Sequence, residues 1–383
     1  MSSEPVLPAP TSPAPGRIIG WDLLRGCCAY AVGTYHLLTW QKVADLNPFG
    51  FFGVYLFFVL SGASLVINYH ERFIRQPGHA TLRKFLFVRY MRLLPLFAVL
   101  VLLSLPWKLK TQGLSPELLL KVVSNLSFTF GFGSPLTHSM IVGGWSLGIE
   151  FIFYLLFPVF LLLLGAGKNE RGMWLAFAAL LLLQAVWIGT TAGLDAVSLP
   201  SLVAYHQVPA FAAYFFGGCI IGWLQLQGRW QYPLGAVVGV GGVVLAGVVM
   251  LLLNHPDPSR VLAGWRGPVL CALCFVLVWW AGQIRLNHAL SRFARHAGDV
   301  TYGVYLIHPF IYFGLAFVVA PRVPALNLVS GEWRTALPIG VGVLLLATLL
   351  AYCSERWFEQ PVRRWSNRPA NANRGTPKIG SLG

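Results

Sequence analysis

The feature that most restricts this chain is a series of apolar stretches, each about 20 residues long, that recurs from residue 20 almost to the C-terminus. A helix of roughly 20 residues crosses a hydrocarbon core about 30 Å thick. Inside lipid every peptide group needs a partner within its own segment, which a helix supplies. Composition agrees: 56% of residues are hydrophobic and only 11% charged, too little polar surface for a domain that must face water. The sequence therefore predicts an all-α, polytopic membrane protein with ten transmembrane helices, at 20–40, 50–69, 86–106, 145–165, 173–192, 206–225, 234–253, 262–282, 301–320 and 336–354. A Pro-rich tail at 1–16, a membrane domain at 17–365 and a second tail at 366–383 complete the expected organisation, with both tails disordered and cytosolic.

The net charge of +15 raises nucleic acid as a partner, but no nucleic-acid-binding module is visible and the basic residues sit between apolar runs. Membrane topology accounts for them. With the N-terminus inside, 19 of the 28 Lys and Arg residues fall in cytosolic segments and 8 in outer ones, which predicts both termini in the cytosol. Six cysteines all lie in or beside apolar runs. Cys271 and Cys274 have metal-motif spacing but no second pair, and they read as small packing residues on a membrane helix. No bound metal and no resident cofactor are expected.

Ionisable residues within membrane segments are costly and point to function. The first helix holds Arg25 and His36, eleven residues apart. Eleven steps of about 100° bring both to one face, about 16 Å apart along the axis, with Ala29, Val32 and Gly33 between them. A snorkelling Arg and a packed His are the alternative. Arg89 and Arg92 are neighbours on the third helix at the cytosolic boundary, where two guanidinium groups can grip phosphate or merely anchor the helix. Glu150, one turn into the fourth helix, matches His36 in depth and is a candidate partner for it; a helix-entrance carboxylate in interfacial water is the other possibility. On the second helix Ser61, Ser64 and Asn68 share a face suited to close packing, and Ser61 is also a possible nucleophile. His308 precedes Pro309, which must leave one backbone carbonyl without its helical donor, so His308 is suited to packing, hydrogen bonding or ligand contact.

Taken in order, Asp22-Leu23-Leu24-Arg25-Gly26 with His36, the run Gly53 to Gly62, Arg89-x-x-Arg92 with Leu93 and Pro95, Trp145-Ser146-Leu147 with Glu150 and Tyr154, Tyr302 to Pro309, and Glu355 to Arg363 resemble the integral-membrane acyltransferase type 3 family of bacteria, O-acyltransferases of surface glycans. The resemblance covers nearly the whole chain. Ala63 is a departure, standing where the family usually has an aromatic residue. The resemblance implies a ten-helix fold in the bacterial inner membrane, acyl-CoA (usually acetyl-CoA) as co-substrate, and a carbohydrate acceptor such as exopolysaccharide, O-antigen or peptidoglycan. It also implies functional roles for Arg25, His36, Arg89 and Arg92, with Tyr302 and His308 in a shared segment.

The expected mechanism places the nucleotide phosphates of acyl-CoA at Arg89 and Arg92, with Arg25 above them. The pantetheine arm follows the Ala29/Gly33 stripe outward, and His36, paired with Glu150, acts as general base on a sugar hydroxyl. An acyl-enzyme relay on His36 or Ser61 is the variant within this class. A secondary transporter, coupling through the same intramembrane Arg, His and Glu residues, is the alternative from another class, although no inverted halves are detectable.

Overall fold

The computed structural model describes residues 17–165, 170–191, 205–229, 231–323, 328–329 and 331–368. The tail at 1–16 and all but the first three residues of the tail at 366–383 lie outside these described residues. Each of the ten expected segments is a helix: α1 (Ile19–Trp40), α2 (Asn47–Arg75), α3 (His79–Gln112), α4 (Trp145–Gly165), α5 (Glu170–Thr191), α6 (Val208–Leu226), α7 (Ala236–Leu252), α8 (Arg266–Gln283), α9 (His288–Gly314) and α10 (Trp333–Ser354). Eight helices among the described residues are long and apolar enough to cross a membrane. The remaining two of the ten are α1, which carries Asp22 and Arg25, and α7, which has 17 residues. No strand occurs among the described residues, and the protein is an all-α, multi-pass membrane protein.

Several helices outrun their apolar windows. α2 continues to Arg75 and α3 begins at His79, well before residue 86. Hydropathy marks where a helix enters lipid, whereas the helix persists beyond it as long as neighbours or water satisfy its ends. The connection after α3 contains a helix at Pro116–Leu126 and two single turns at Thr129–Phe132 and Pro135–His138. Ser115 caps the first of these by accepting from the Leu118 N–H.

The packing is as close as membrane bundles allow. Where α2 meets α6, a Cβ on Gly62 would run into the Phe215 carbonyl and one on Gly218 into the Val59 carbonyl. Only glycine permits that approach, and close backbone contact substitutes for the hydrophobic drive that lipid removes. Phe58, Phe153, Phe211 and Phe215 fill the space beside this seam with edge-on and stacked rings. Cys274 is fully buried and Cys271 nearly so, within the same core. α1 and α9 run parallel, since Arg17 meets Asp299 at one end and His36 meets His308 further along.

Candidate active site

Helices α1, α2, α3, α4 and α9, with the turn after α10, enclose a cleft of about 690 Å³ at the end of the bundle where α1 begins. Volumes of roughly 300 to 1,000 Å³ are typical of ligand sites. Arg25, Arg89, Arg92, Ser61, Glu150 and Tyr302 all line it. Six of the eight residues singled out from the sequence thus converge from five helices on one space.

Its arginines are in two conditions. Arg25 is engaged: its guanidinium donates to Asp22 Oδ1 at 3.0 Å and to the Ser64 hydroxyl, tying α1 to α2. Asp22 in turn accepts from Arg17, which also reaches Asp299 on α9. Arg89 and Arg92 form no ion pair or hydrogen bond with the described residues. The Arg89 guanidinium lies over the Tyr69 ring, 4.7 Å from its centroid, with Tyr154 at 5.9 Å, and its Nε is buried without an acceptor. A cation held by ring faces keeps its N–H donors for a ligand. Arg92 is exposed within the cleft.

Glu150 lines the same cleft. Its Oε1 accepts from the Ser61 hydroxyl at 2.8 Å and from the Tyr154 hydroxyl at 2.6 Å. Tyr154 sits one helical turn along α4, so the contact is local, whereas Ser61 joins α4 to α2. Tyr302 donates to the Leu93 carbonyl of α3. Tyr305 is the last residue of α9 to line the cleft; it shares a 3.0 Å hydrogen bond with Ser146, donates to the Gly143 carbonyl at 2.9 Å and meets Phe57 edge-on.

His36 and His308 stand apart from this cleft. The expected His36–Glu150 pair is not formed: Glu150 is taken up by Ser61 and Tyr154, and His36 Nδ1 lies 3.0 Å from Nε2 of His308. Equal depth on two helices did not make them neighbours, because α9 and not α4 packs along the His36 face of α1. The expected open stripe is also corrected. Ala29 and Val32 are 0% exposed, and Gly33 lies against Leu344 of α10 and the His308 ring. These small residues serve helix contact and leave no channel. Trp40 stacks on His36 at 4.8 Å with the ring planes 6° apart. Sequence reasoning missed Trp40, although its place four residues after His36 puts it on the same helix face. Tyr69 and Tyr305 were missed as well, and nothing in their local sequence separates them from other membrane tyrosines.

Fold and cleft together define a multi-pass membrane protein with a cleft lined by arginine, hydroxyl and carboxylate groups. A family model described as an acyltransferase domain matches residues 18–353, from the edge of α1 almost to the end of α10. The chain belongs to this family, the acyltransferase type 3 membrane proteins. It is 27% identical over 377 residues to the peptidoglycan O-acetyltransferase OatA of Listeria monocytogenes serovar 1/2a, an alignment that covers 90% of this chain and 55% of the relative. The chain therefore spans about half the length of that curated relative. No solved structure matches it.

Proposed function

We propose that the protein is an O-acetyltransferase of the bacterial inner membrane, moving an acetyl group from cytosolic acetyl-CoA to a hydroxyl of a surface carbohydrate, with His36 as general base. The observation that carries this reading is the pair Arg89 and Arg92, whose guanidinium donors are unclaimed among the described residues and face a ligand-sized cleft. Unpaired cations in a membrane protein are expensive unless an anion visits them, and planar guanidinium groups suit the phosphates of a nucleotide. Both termini belong on the cytosolic side by charge bias, which puts the mouth of the cleft where acyl-CoA is made. The family supports acyl transfer over the transporter alternative, and the name of the Listeria relative supports a glycan acceptor.

In the step itself His36 takes the proton of the sugar hydroxyl as its oxygen attacks the thioester carbonyl carbon. The carbon–sulfur bond breaks, and the departing CoA thiolate recovers that proton from His36. The products are the acetyl ester and free CoA. Along α9 His308 lies three residues, about 4.5 Å, beyond Tyr305, so direct transfer requires the thioester to pass the Tyr305–Ser146 contact. Glu150 offsets the charge of Arg89 and Arg92 rather than orienting His36.

One observation favours a second reading. Ser61 lies in the same cleft as the arginines and donates to a carboxylate, which is the arrangement an acyl-serine relay needs. The two are separated by mixing purified protein with acetyl-CoA, with and without the isolated envelope glycan fraction of the source cells. Free CoA released only when glycan is present supports direct transfer, whereas a stoichiometric burst without glycan supports the relay. No CoA release in either mixture, from protein that binds acetyl-CoA, would overturn the proposal.

A further inference from the structure

The His36–His308 contact carries more information than proximity. His308 is 0% exposed, and its Nδ1 lies 2.8 Å from the Val304 carbonyl oxygen. A carbonyl oxygen only accepts, so His308 Nδ1 carries the hydrogen. In the neutral ring Nε2 is then a bare acceptor. That atom is 3.0 Å from His36 Nδ1, which must therefore donate. In the neutral His36 ring the remaining nitrogen, Nε2, keeps its lone pair. His36 is only partly buried, and with its Nδ1 edge turned to His308 the edge left accessible is the one that carries Nε2.

We infer that His308 is a positioning residue for the transferase: it fixes His36 in the tautomer whose Nε2 is the proton acceptor and stabilises the imidazolium once Nε2 is protonated. The inference rests on the proposed base role of His36. It gives His308 the part that a carboxylate plays beside the histidine of a serine-protease triad. The chain of donors runs from His36 to His308 to the Val304 carbonyl. As Nε2 accepts the hydroxyl proton, His36 Nδ1–H strengthens its bond to His308 Nε2, so the developing cation keeps a hydrogen-bond acceptor. Trp40, stacked on the His36 ring, holds the plane against rotation about the same bond.

Three measurements on the full-length protein in nanodiscs test this. In protein labelled with 15N-histidine, the His36 signal, assigned by its loss in His36→Gln, is expected to show a protonated Nδ1 and an unprotonated Nε2. His308→Leu fills the site but removes the acceptor. Its kcat for CoA release, with acetyl-CoA and the isolated envelope glycan, is expected to fall at least about tenfold, up to the roughly 10⁴-fold that a wrong tautomer costs in a serine protease, with KM for acetyl-CoA unchanged. His308→Gln, whose side-chain oxygen can accept at the Nε2 position, is expected to restore most of the loss. A protonated Nε2 on His36 in the unmodified protein, full kcat in His308→Leu, or a His308→Gln variant no better than His308→Leu would each overturn the inference. If His308→Leu misfolds, the 15N measurement alone decides. Full turnover in His36→Gln would instead remove the base role itself, an outcome distinct from any failure at His308.

Discussion

Ser61 donates to Glu150 Oε1 at 2.8 Å, joining α2 to α4 across the cleft that Arg89 and Arg92 line. The bond occupies one oxygen of the carboxylate that equal depth would have offered to His36. It also decides how each of the two groups behaves when altered.

Under direct transfer, Ser61→Ala is expected to keep acetyl transfer within about tenfold of the unmodified protein, since a single neutral hydroxyl contributes on the order of 1 kcal/mol. Mass spectrometry of acetyl-CoA-treated protein reads the same question covalently. An acetylated Ser61 peptide, with Ser61→Ala inactive, would establish the relay.

His36→Ala is expected to lower turnover by roughly 100- to 10,000-fold, the usual contribution of a general base, while leaving helicity and acetyl-CoA binding in place. The ring is one partly buried group in a large bundle, and its removal leaves His308 its carbonyl partner. A folded His36→Ala protein with ordinary turnover would exclude the base assignment.

Arg89→Ala and Arg92→Ala are expected to weaken acetyl-CoA binding, with Lys at either position retaining an intermediate affinity. A lysine ammonium keeps the charge but loses the bidentate fork. Calorimetric titration should also show affinity falling as salt rises, because charges at an open cleft are screened. Unchanged affinity in the double alanine variant would return both residues to a topological role.

Gly218→Leu is expected to destabilise the α2–α6 seam by about 1–3 kcal/mol, the usual cost of overpacking, because its Cβ would be driven into the Val59 carbonyl. The thermal midpoint of the detergent-solubilised protein should drop, while the same substitution at Gly247, whose Cβ meets nothing nearby, should be tolerated. Equal midpoints for the two variants would contradict the packing described.

Sidedness gives a final test. In sealed vesicles of known orientation, acetyl-CoA should act only from the side bearing the connection between α2 and α3, and esterified glycan should form on the other. Product formed with both substrates confined to that one side would require a different route for the acceptor.

The sequence alone determined the architecture, and the reason is solvent. Lipid cannot pair with a peptide group, so apolar stretches of membrane length had to become helices, and all ten appear. The convergence of Arg25, Arg89, Arg92, Ser61, Glu150 and Tyr302 was partly legible, because each is a polar group within or at the edge of an apolar helix and such groups face one another rather than lipid. Which of them touch was not. Periodicity gives direction and depth on one helix but not which helix stands opposite, and that choice lies in contacts remote in the chain. Gly62 against Phe215 brings α6 onto α2, and the parallel packing of α9 on α1 gives His36 to His308 and leaves Glu150 to Ser61. The same packing turned Ala29 and Val32 from an expected channel into buried contacts, since small residues on a helix face admit a neighbouring helix as readily as a ligand.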